Sequence, residues 1–174
     1  ARAALEEFLA DTEDGIFKGP YVRLRLPFRP ADPSWRDTLE WLPGFTPYGH
    51  QAAAFARLSS LGLAPGERPK PTIVTTGTGS GKTEAFLYPI LDHVRRAKRD
   101  GLTGIKALVL YPMNALANDQ AGRLAALITA NPELEGVRAS LYTGQEGPQR
   151  TRVTADGLIT NRREIRDNPP DILL

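Results

Sequence analysis

Nine consecutive residues between Thr76 and Glu84 have the composition of a loop that binds phosphate groups. They read Thr-Gly-Thr-Gly-Ser-Gly-Lys-Thr-Glu, and their three glycines let the backbone bend tightly and bring N–H groups close to an anion. Lys82 can reach the β- and γ-phosphates of a nucleotide, and Thr83 can offer its hydroxyl to Mg²⁺. These two are the candidate catalytic residues. The candidate nucleotide contacts are Thr76, Gly77, Thr78, Gly79, Ser80, Gly81, Lys82, Thr83 and Glu84.

The sequence on either side of this run supports a phosphate-binding loop. The β-branched residues before it predict a strand over 72–75, and the apolar pattern after it predicts a helix over 82–99. A glycine-rich turn between a strand and a helix is the setting in which such a loop binds nucleotide, because the helix N-terminus adds unpaired N–H groups. The alternative is a flexible glycine–serine linker, which does not usually join a strand to a helix.

A candidate contact to the base lies upstream, in Pro47-Tyr48-Gly49-His50-Gln51. The side-chain amide of Gln51 can donate to a ring nitrogen of adenine and accept from its amino group. The alternative is a solvent-facing glutamine at the start of a helix. The rings of Tyr48 and Phe45 could pack on the base, although the protein core is the better place for either.

Two further segments follow predicted strands. Residues 110–120 come at the end of a strand over 105–111, and Tyr142-Thr143-Gly144 end a strand over 137–142. Because ligands of open parallel sheets bind beyond the carboxyl ends of the strands, these turns can hold the phosphates of a single nucleic-acid strand. Asn114 could instead be only a helix N-cap, and residues 142–144 an ordinary turn. The candidate nucleic-acid contacts are Pro112, Met113, Asn114, Gln120, Tyr142, Thr143 and Gly144.

Two clusters of basic residues accompany these segments. Arg95-Arg96 and Lys98-Arg99 end the predicted helix over 82–99, where cations complement the helix dipole, and a solvated face is the expectation there. Arg162, Arg163 and Arg166 lie near the predicted nucleic-acid edge. For this second cluster, a contact to nucleic acid and a solvated face are about equally favoured.

Composition excludes several classes of function. The chain has 174 residues, a net charge of +2 and an apolar fraction of 41%, as expected for one globular domain. It has no cysteine and two histidines, so neither a disulfide framework nor a thiolate metal site is expected. No apolar run reaches the length of a membrane span and the N-terminus has no signal-peptide core, so we expect a cytoplasmic protein with no membrane partner. The chain reads as a fragment cut at both ends.

The elements that must position the candidate residues alternate between strand and helix after residue 45. Strands are predicted over 72–75, 105–111, 137–142 and from 171, and helices over 47–61, 82–99, 115–129 and 162–167. This alternation predicts an α/β fold with a parallel sheet flanked by helices. The preceding residues 1–45 contain a short helix over 3–10 and an alternating strand over 21–26, and are expected to form an accessory segment before a partial domain over 46–174.

Together these motifs resemble the first RecA-like lobe of superfamily 2 DNA helicases, which is a P-loop NTPase fold. The resemblance rests on Gly49-His50-Gln51, on Thr76 to Glu84 with its helicase-like threonine start, on Leu110 to Gln120, and on Tyr142-Thr143-Gly144. The amino-acid sequence from Tyr111 to Gln120 is most similar to that of large bacterial helicases of the Lhr-like kind, including those of DISARM-type anti-phage systems. The resemblance implies ATP and Mg²⁺ as cofactors, single-stranded DNA contacted through its backbone, and possible partners in defence.

The resemblance also implies what these residues lack. The acidic metal-binding motif and the second RecA-like lobe with its arginine fingers would follow Leu174, so residues 1–174 alone are expected to hydrolyse almost no ATP. Two other classes of function stay open. One is a P-loop ATPase that acts in transport or assembly without nucleic acid, and the other is an inactive docking module.

Overall fold

The computed structural model describes residues 2–11, 27–64, 66–144 and 147–174. Its helices and strands are few and short except for two long helices, and two 3₁₀ turns lie at Pro33–Thr38 and Pro132–Leu134. The helices are α1 (Arg2–Ala10), α2 (Gly49–Leu58), α3 (Lys82–Arg99), α4 (Asn114–Ala130) and α5 (Arg162–Asp167). The strands are β1 (Ala107–Leu108), β2 (Ala139–Ser140) and β3 (Ile172–Leu173).

The three strands form a parallel sheet in the order β1-β3-β2. Ala107 of β1 and Ala139 of β2 both pair with Ile172, which lies fully buried at the centre. Beyond β2, the backbone of Ile159 donates to Ala139 O at 3.0 Å and extends the pairing on that side. The predicted α/β class, with a parallel sheet flanked by helices, is confirmed.

The core forms where α3 and α4 bury their apolar stripes against the sheet. Leu91 and Val94 of α3 pack in one cluster with Leu124 and Ile128 of α4 and with Ile172. The same cluster contains residues from the N-terminal side of the chain, namely Trp35, Leu39 and Trp41. A boundary between an accessory segment and the α/β domain at residue 45 therefore stays a prediction.

One buried carboxylate fastens this N-terminal side to α3. Asp92, which has no solvent exposure, accepts hydrogen bonds from the backbone N–H groups of Glu40 at 2.9 Å and Trp41 at 2.7 Å. It also pairs with Arg96 at 3.0 Å, and the Trp41 ring stacks on Tyr88 with 5.2 Å between centroids. A buried charge of this kind is stable only because all these donors surround it.

The basic cluster at the end of α3 is not the solvated face that its sequence suggested. Its members form ion pairs with carboxylates from three other parts of the chain, because α3 packs beneath both the N-terminal side and the sheet. Lys98 pairs with Asp171 at 3.1 Å. The side chain of Glu40, on the N-terminal side of the chain, pairs with both Arg95 and Arg99.

One further expectation is wrong, and another lies outside the described residues. Residues 72–75 form no strand, because no described strand lies beside them to complete a ladder, and Ile73 is 90% exposed. Strand β1 is partly open to solvent, since its Leu108 is 61% exposed. The strand predicted over 21–26 falls in the part that is not described. Within the described ranges, no helix has the length and hydropathy needed to cross a membrane.

Candidate nucleotide and nucleic-acid site

The phosphate-loop sequence forms a turn that requires glycine at two of its three glycine positions. Gly79 has a φ of +76° and Gly81 a φ of +74°, a left-handed conformation that other residues rarely adopt. Gly81 comes directly before α3, and a Cβ added to it would lie 2.3 Å from the side-chain nitrogen of Gln51. Gly77 has neither constraint, since nothing lies within 4 Å of its Cβ position. The loop is therefore tightest where the helix begins.

Lys82 is held inside this loop. Its ammonium donates to the carbonyl oxygens of Thr76 at 2.8 Å and Gly77 at 2.9 Å. The hydroxyls of Thr76 and Ser80 are hydrogen-bonded to each other at 2.5 Å, and Ser80 is buried. The cation thus lies at the mouth of the turn, where an arriving phosphate could replace the two carbonyl oxygens as its partner.

Helix α2 supports the loop from behind through two consecutive side chains. His50 Nε2 lies 2.8 Å from the carbonyl oxygen of Ser80, and Gln51 Nε2 donates to the carbonyl oxygen of Gly81 at 3.0 Å. Gln51 is only 3% exposed, and its Oε1 accepts from the backbone N–H of Tyr48 at 2.8 Å. The role of His50 was missed from sequence, although its position beside Gln51 was the available signal. The contact between Gln51 and adenine stays a prediction.

A cleft of about 890 Å³ opens over the loop. Phe45 and Tyr48 line it and are both partly exposed, so their rings border the cleft instead of being sealed in the core. Glu84, in the first turn of α3, forms an ion pair with Arg123 of α4, which also lines the cleft. Arg123 is a candidate residue that the sequence did not reveal, because its relation to the loop arises only from the packing of two helices.

A magnesium ion would find one protein ligand here. No group of three or more histidine, cysteine or acidic side chains that could hold a metal exists among the described residues. Thr83 lines the cleft next to Lys82, while the nearby carboxylate of Glu84 is paired with Arg123. Mg²⁺ commonly takes only one or two protein ligands, with phosphate oxygens and water completing its shell. The Thr83 hydroxyl fits that pattern.

The candidate nucleic-acid contacts follow β1 and β2 in the chain. Because these strands are parallel, their carboxyl ends lie at the same edge of the sheet. Pro112, Met113 and Asn114 are exposed. Asn114 is the first residue of α4 and Met113 occupies the N-cap position without a side-chain cap, so the N-cap alternative for Asn114 is wrong. Gln120 does not face this edge, because it is 9% exposed and donates to the carboxylate of Asp119 at 2.9 Å.

Tyr142, Thr143 and Gly144 border a cleft of about 690 Å³ at the end of β2. The guanidinium of Arg162 lies 5.3 Å from the centre of the Tyr142 ring and donates to the carbonyl oxygen of Thr143 at 3.2 Å. Asn118 of α4 lines the same cleft. The structure thus brings together the segment after β2, the start of α5 and the exposed side of α4. Of these residues, the sequence predicts 142–144 as nucleic-acid contacts and does not decide between such a contact and a solvated face for Arg162.

A phosphate-type loop before a long helix, beside a parallel sheet with an exposed strand-end edge, defines a nucleotide-binding α/β domain. The family model for DEAD/DEAH box helicases matches residues 48–168, which is most of the chain. The chain belongs to this family. The resemblance to superfamily 2 helicases is thereby confirmed.

This chain spans only 6–16% of the length of the following relatives. The Druantia protein DruE of Escherichia coli (strain UMEA 4076-1) is 38% identical over 112 residues, which are 57% of this chain and 6% of that protein. An uncharacterized ATP-dependent helicase, MJ1574 of Methanocaldococcus jannaschii, is 29% identical over 132 residues, or 75% of this chain and 16% of that protein. The mitochondrial ATP-dependent RNA helicase MSS116 of Kluyveromyces lactis is 29% identical over 102 residues, or 55% of this chain and 15% of that protein. No solved structure matches the chain.

Proposed function

We propose that this chain is the ATP-binding part of an ATP-dependent DNA helicase or translocase, which couples ATP hydrolysis to movement on a nucleic-acid strand. The observation that carries the proposal is the loop geometry. Lys82 lies at the mouth of a turn whose carbonyl groups are held by His50 and Gln51, and this leaves the loop ready to receive phosphate.

A physical link between the two candidate sites supports coupling. Glu84 belongs to the nucleotide loop and Arg123 to α4, the helix that begins at the nucleic-acid edge, and the two form an ion pair. If the loop changed its conformation on nucleotide binding or release, this ion pair would transmit the change to α4. The pair is half exposed and contributes modestly to stability, so it is suited to exchange partners during a cycle.

In this proposal each residue has a defined task. Lys82 and the N–H groups of the loop bind the β- and γ-phosphates, and Thr83 offers its hydroxyl to Mg²⁺, which when bound neutralises charge on the phosphate oxygens. Gln51 holds the loop and, with its second amide hydrogen, contacts adenine. The described residues include no metal-site cluster of carboxylates, and the catalytic carboxylate and arginine fingers would come from other parts of the protein, including a second lobe.

The test is ATP turnover, with and without single-stranded DNA, by the longer protein of which this chain is proposed to be the ATP-binding part. Lys82→Ala should abolish the DNA-stimulated ATPase, because the phosphates lose their main cationic partner. Lys70→Ala is the matched control, since it removes the same charge from an exposed position outside the loop. Unchanged turnover in Lys82→Ala would refute the assignment.

Binding measurements choose between the proposed substrate and its rivals. A DNA helicase should bind single-stranded DNA with an affinity that falls as salt rises, because phosphate contacts release counterions. Preference for RNA of the same sequence would redirect the proposal to an RNA helicase. No binding to either would favour the transport or assembly ATPase.

A role in anti-phage defence, with other defence proteins as partners, is part of the proposal. It is supported by the wording of residues 111–120 and by the similarity to the Druantia protein DruE. Plaque assays on bacteria that express the full system would test it. Protection should disappear with Lys82→Ala and persist with Lys70→Ala.

A further inference from the structure

The cleft at the end of β2 has walls that are fixed by hydrogen bonds within the chain. On one side, the backbone N–H groups of Thr160 and Asn161 both donate to the carbonyl oxygen of Arg150 at 3.0 Å. On the other, the side chain of Asn161 caps α5 by accepting from the backbone N–H of Glu164 at 2.9 Å. This cap sets the position of Arg162, the first residue of that helix. These hydrogen bonds hold the backbone on two sides of the cleft, while its main side chains stay exposed. Its volume of about 690 Å³ is large enough for a small planar ligand.

The ring of Tyr142 is the exposed flat surface of this cleft. Tyr142 is 56% exposed, although it is anchored by a backbone hydrogen bond to Leu174 O at 2.7 Å. The guanidinium of Arg162 lies 5.3 Å from the ring centre, within the range of a cation–π contact. Since a ring has two faces and one guanidinium covers only one of them, a second planar group can stack on the same ring.

The charge of the cleft indicates what that planar group is attached to. Arg150 and Arg162 line it, and none of its described lining residues is acidic. The Arg162 guanidinium beside the exposed ring, with no acidic side chain among the described lining residues, favours an anionic ligand that carries a flat ring. The amide side chains of Asn118 and Gln149 also line the cleft, and amides can pair with the polar edge of a base.

We propose that this cleft is a nucleobase subsite, in which one base of a bound single strand leaves its neighbours and stacks on Tyr142 while Arg162 pairs with the adjoining phosphate. The inference rests on the proposed function and goes beyond it, because contacts to the backbone alone need no aromatic ring. Stacking on an aromatic side chain does not depend on the identity of the base, so the subsite would grip any sequence.

The experiment is a double-mutant cycle on the full-length protein, in which substitutions of Tyr142 are combined with removal of a base from the oligonucleotide. A single-stranded oligonucleotide is made with all its bases, and again with one abasic position moved along its length, in DNA and RNA versions. Tyr142→Leu should weaken binding to the intact strand about tenfold, while Tyr142→Phe should bind like the wild type, because Phe keeps the ring. For the strand whose abasic position falls at the subsite, wild type and Tyr142→Leu should bind equally. A 2-aminopurine at that position should be quenched by the wild type and by Tyr142→Phe only.

A second pair of variants separates the charge of Arg162 from charge in general. Arg162→Ala should lower affinity for the intact strand several-fold, whereas Lys70→Ala removes one positive charge from an exposed position outside the cleft and should leave that affinity nearly unchanged. If Tyr142→Leu weakens intact and abasic strands to the same extent, Tyr142 contacts only the backbone and the subsite is refuted, while the proposed function stands. If the wild type binds neither DNA nor RNA, both the subsite and the proposed function are refuted.

Discussion

The nucleotide loop and the cleft at the end of β2 are built in opposite ways. In the loop, the carbonyl oxygens of Thr76, Ser80 and Gly81 already have side-chain partners from Lys82, His50 and Gln51. In the cleft, the main side chains, Tyr142 and Arg162, are exposed. The first site is shaped before any ligand arrives, which under the proposed function would let a nucleotide bind in the same pose in every cycle. The second keeps open surfaces, which under the same proposal would let a nucleic-acid strand be bound and released.

The glycines of the two regions show the same contrast. A Cβ at Gly81 would collide with Gln51 at 2.3 Å, whereas nothing lies within 4 Å of the Cβ position of Gly144. Gly81 also has a φ of +74°, and Gly144 is not among the positive-φ glycines of the described chain. Replacing glycine by a larger residue should therefore disrupt the loop at Gly81 and be tolerated in the cleft at Gly144.

The largest expected effect comes from Gly81→Ala. The new methyl group must displace Gln51, and the left-handed backbone costs about 1–2 kcal/mol for a residue with a side chain. We expect ATP affinity to fall by about 100-fold or more, measured by titration of a fluorescent ATP analogue. Gly144→Ala is the control and should change ATP affinity by no more than about twofold. Equal losses in both variants would contradict the view that only the loop is pre-shaped.

Gln51→Ala should have the next largest effect, because it leaves the backbone N–H of Tyr48 and the carbonyl of Gly81 without their side-chain partner. Both groups are partly buried, and a buried group that loses its partner costs about 1–3 kcal/mol, so we expect ATP affinity to fall roughly 10- to 100-fold. The comparison with GTP separates two roles. If Gln51 reads adenine, the preference for ATP over GTP disappears, and if it only holds the loop, affinity for both nucleotides falls in parallel.

Arg123→Ala tests whether the two regions communicate. Its ion pair with Glu84 joins the loop to α4, and half-exposed pairs contribute about 0.2–1 kcal/mol. We expect the stimulation of ATPase by single-stranded DNA to fall about two- to fivefold, with the separate affinities for ATP and DNA nearly unchanged. Arg123→Lys keeps the charge and should restore part of the stimulation. Full stimulation in Arg123→Ala would mean that coupling runs through other contacts.

How far sequence predicts this molecule depends on whether a feature is local. Helix α5 was placed at its observed bounds, and α3 likewise, because caps, glycines and apolar spacing act within a few residues. The strand over 72–75 was wrong because a strand depends on a distant partner. The contacts of His50 with Ser80 and of Arg162 with Tyr142 span 30 and 20 residues, and no local pattern encodes them. Gln120, which the motif offers as a nucleic-acid contact, is only 9% exposed, because its place in α4 sets its burial.

The smallest expected effect lies outside both regions. Hydrogen bonds from Arg99 and Arg95 lower the pKa of Glu40 from 4.5 to about 2. Because the pKa is lower in the folded chain than in the unfolded one, the stabilisation is fully present above about pH 4.5 and is lost as the pH falls towards 2. Glu40→Gln should lower the Tm at pH 7 by a few degrees at most, since the ion pair is exposed. In urea unfolding, the difference in the free energy of unfolding between this variant and the wild type should become smaller below pH 4.5. Glu135→Gln, which removes a charge without an ion pair in the described part of the chain, is the control. Neither variant should alter ATP or nucleic-acid affinity, and a pH-independent gap would show that Glu40 acts by packing and not by charge.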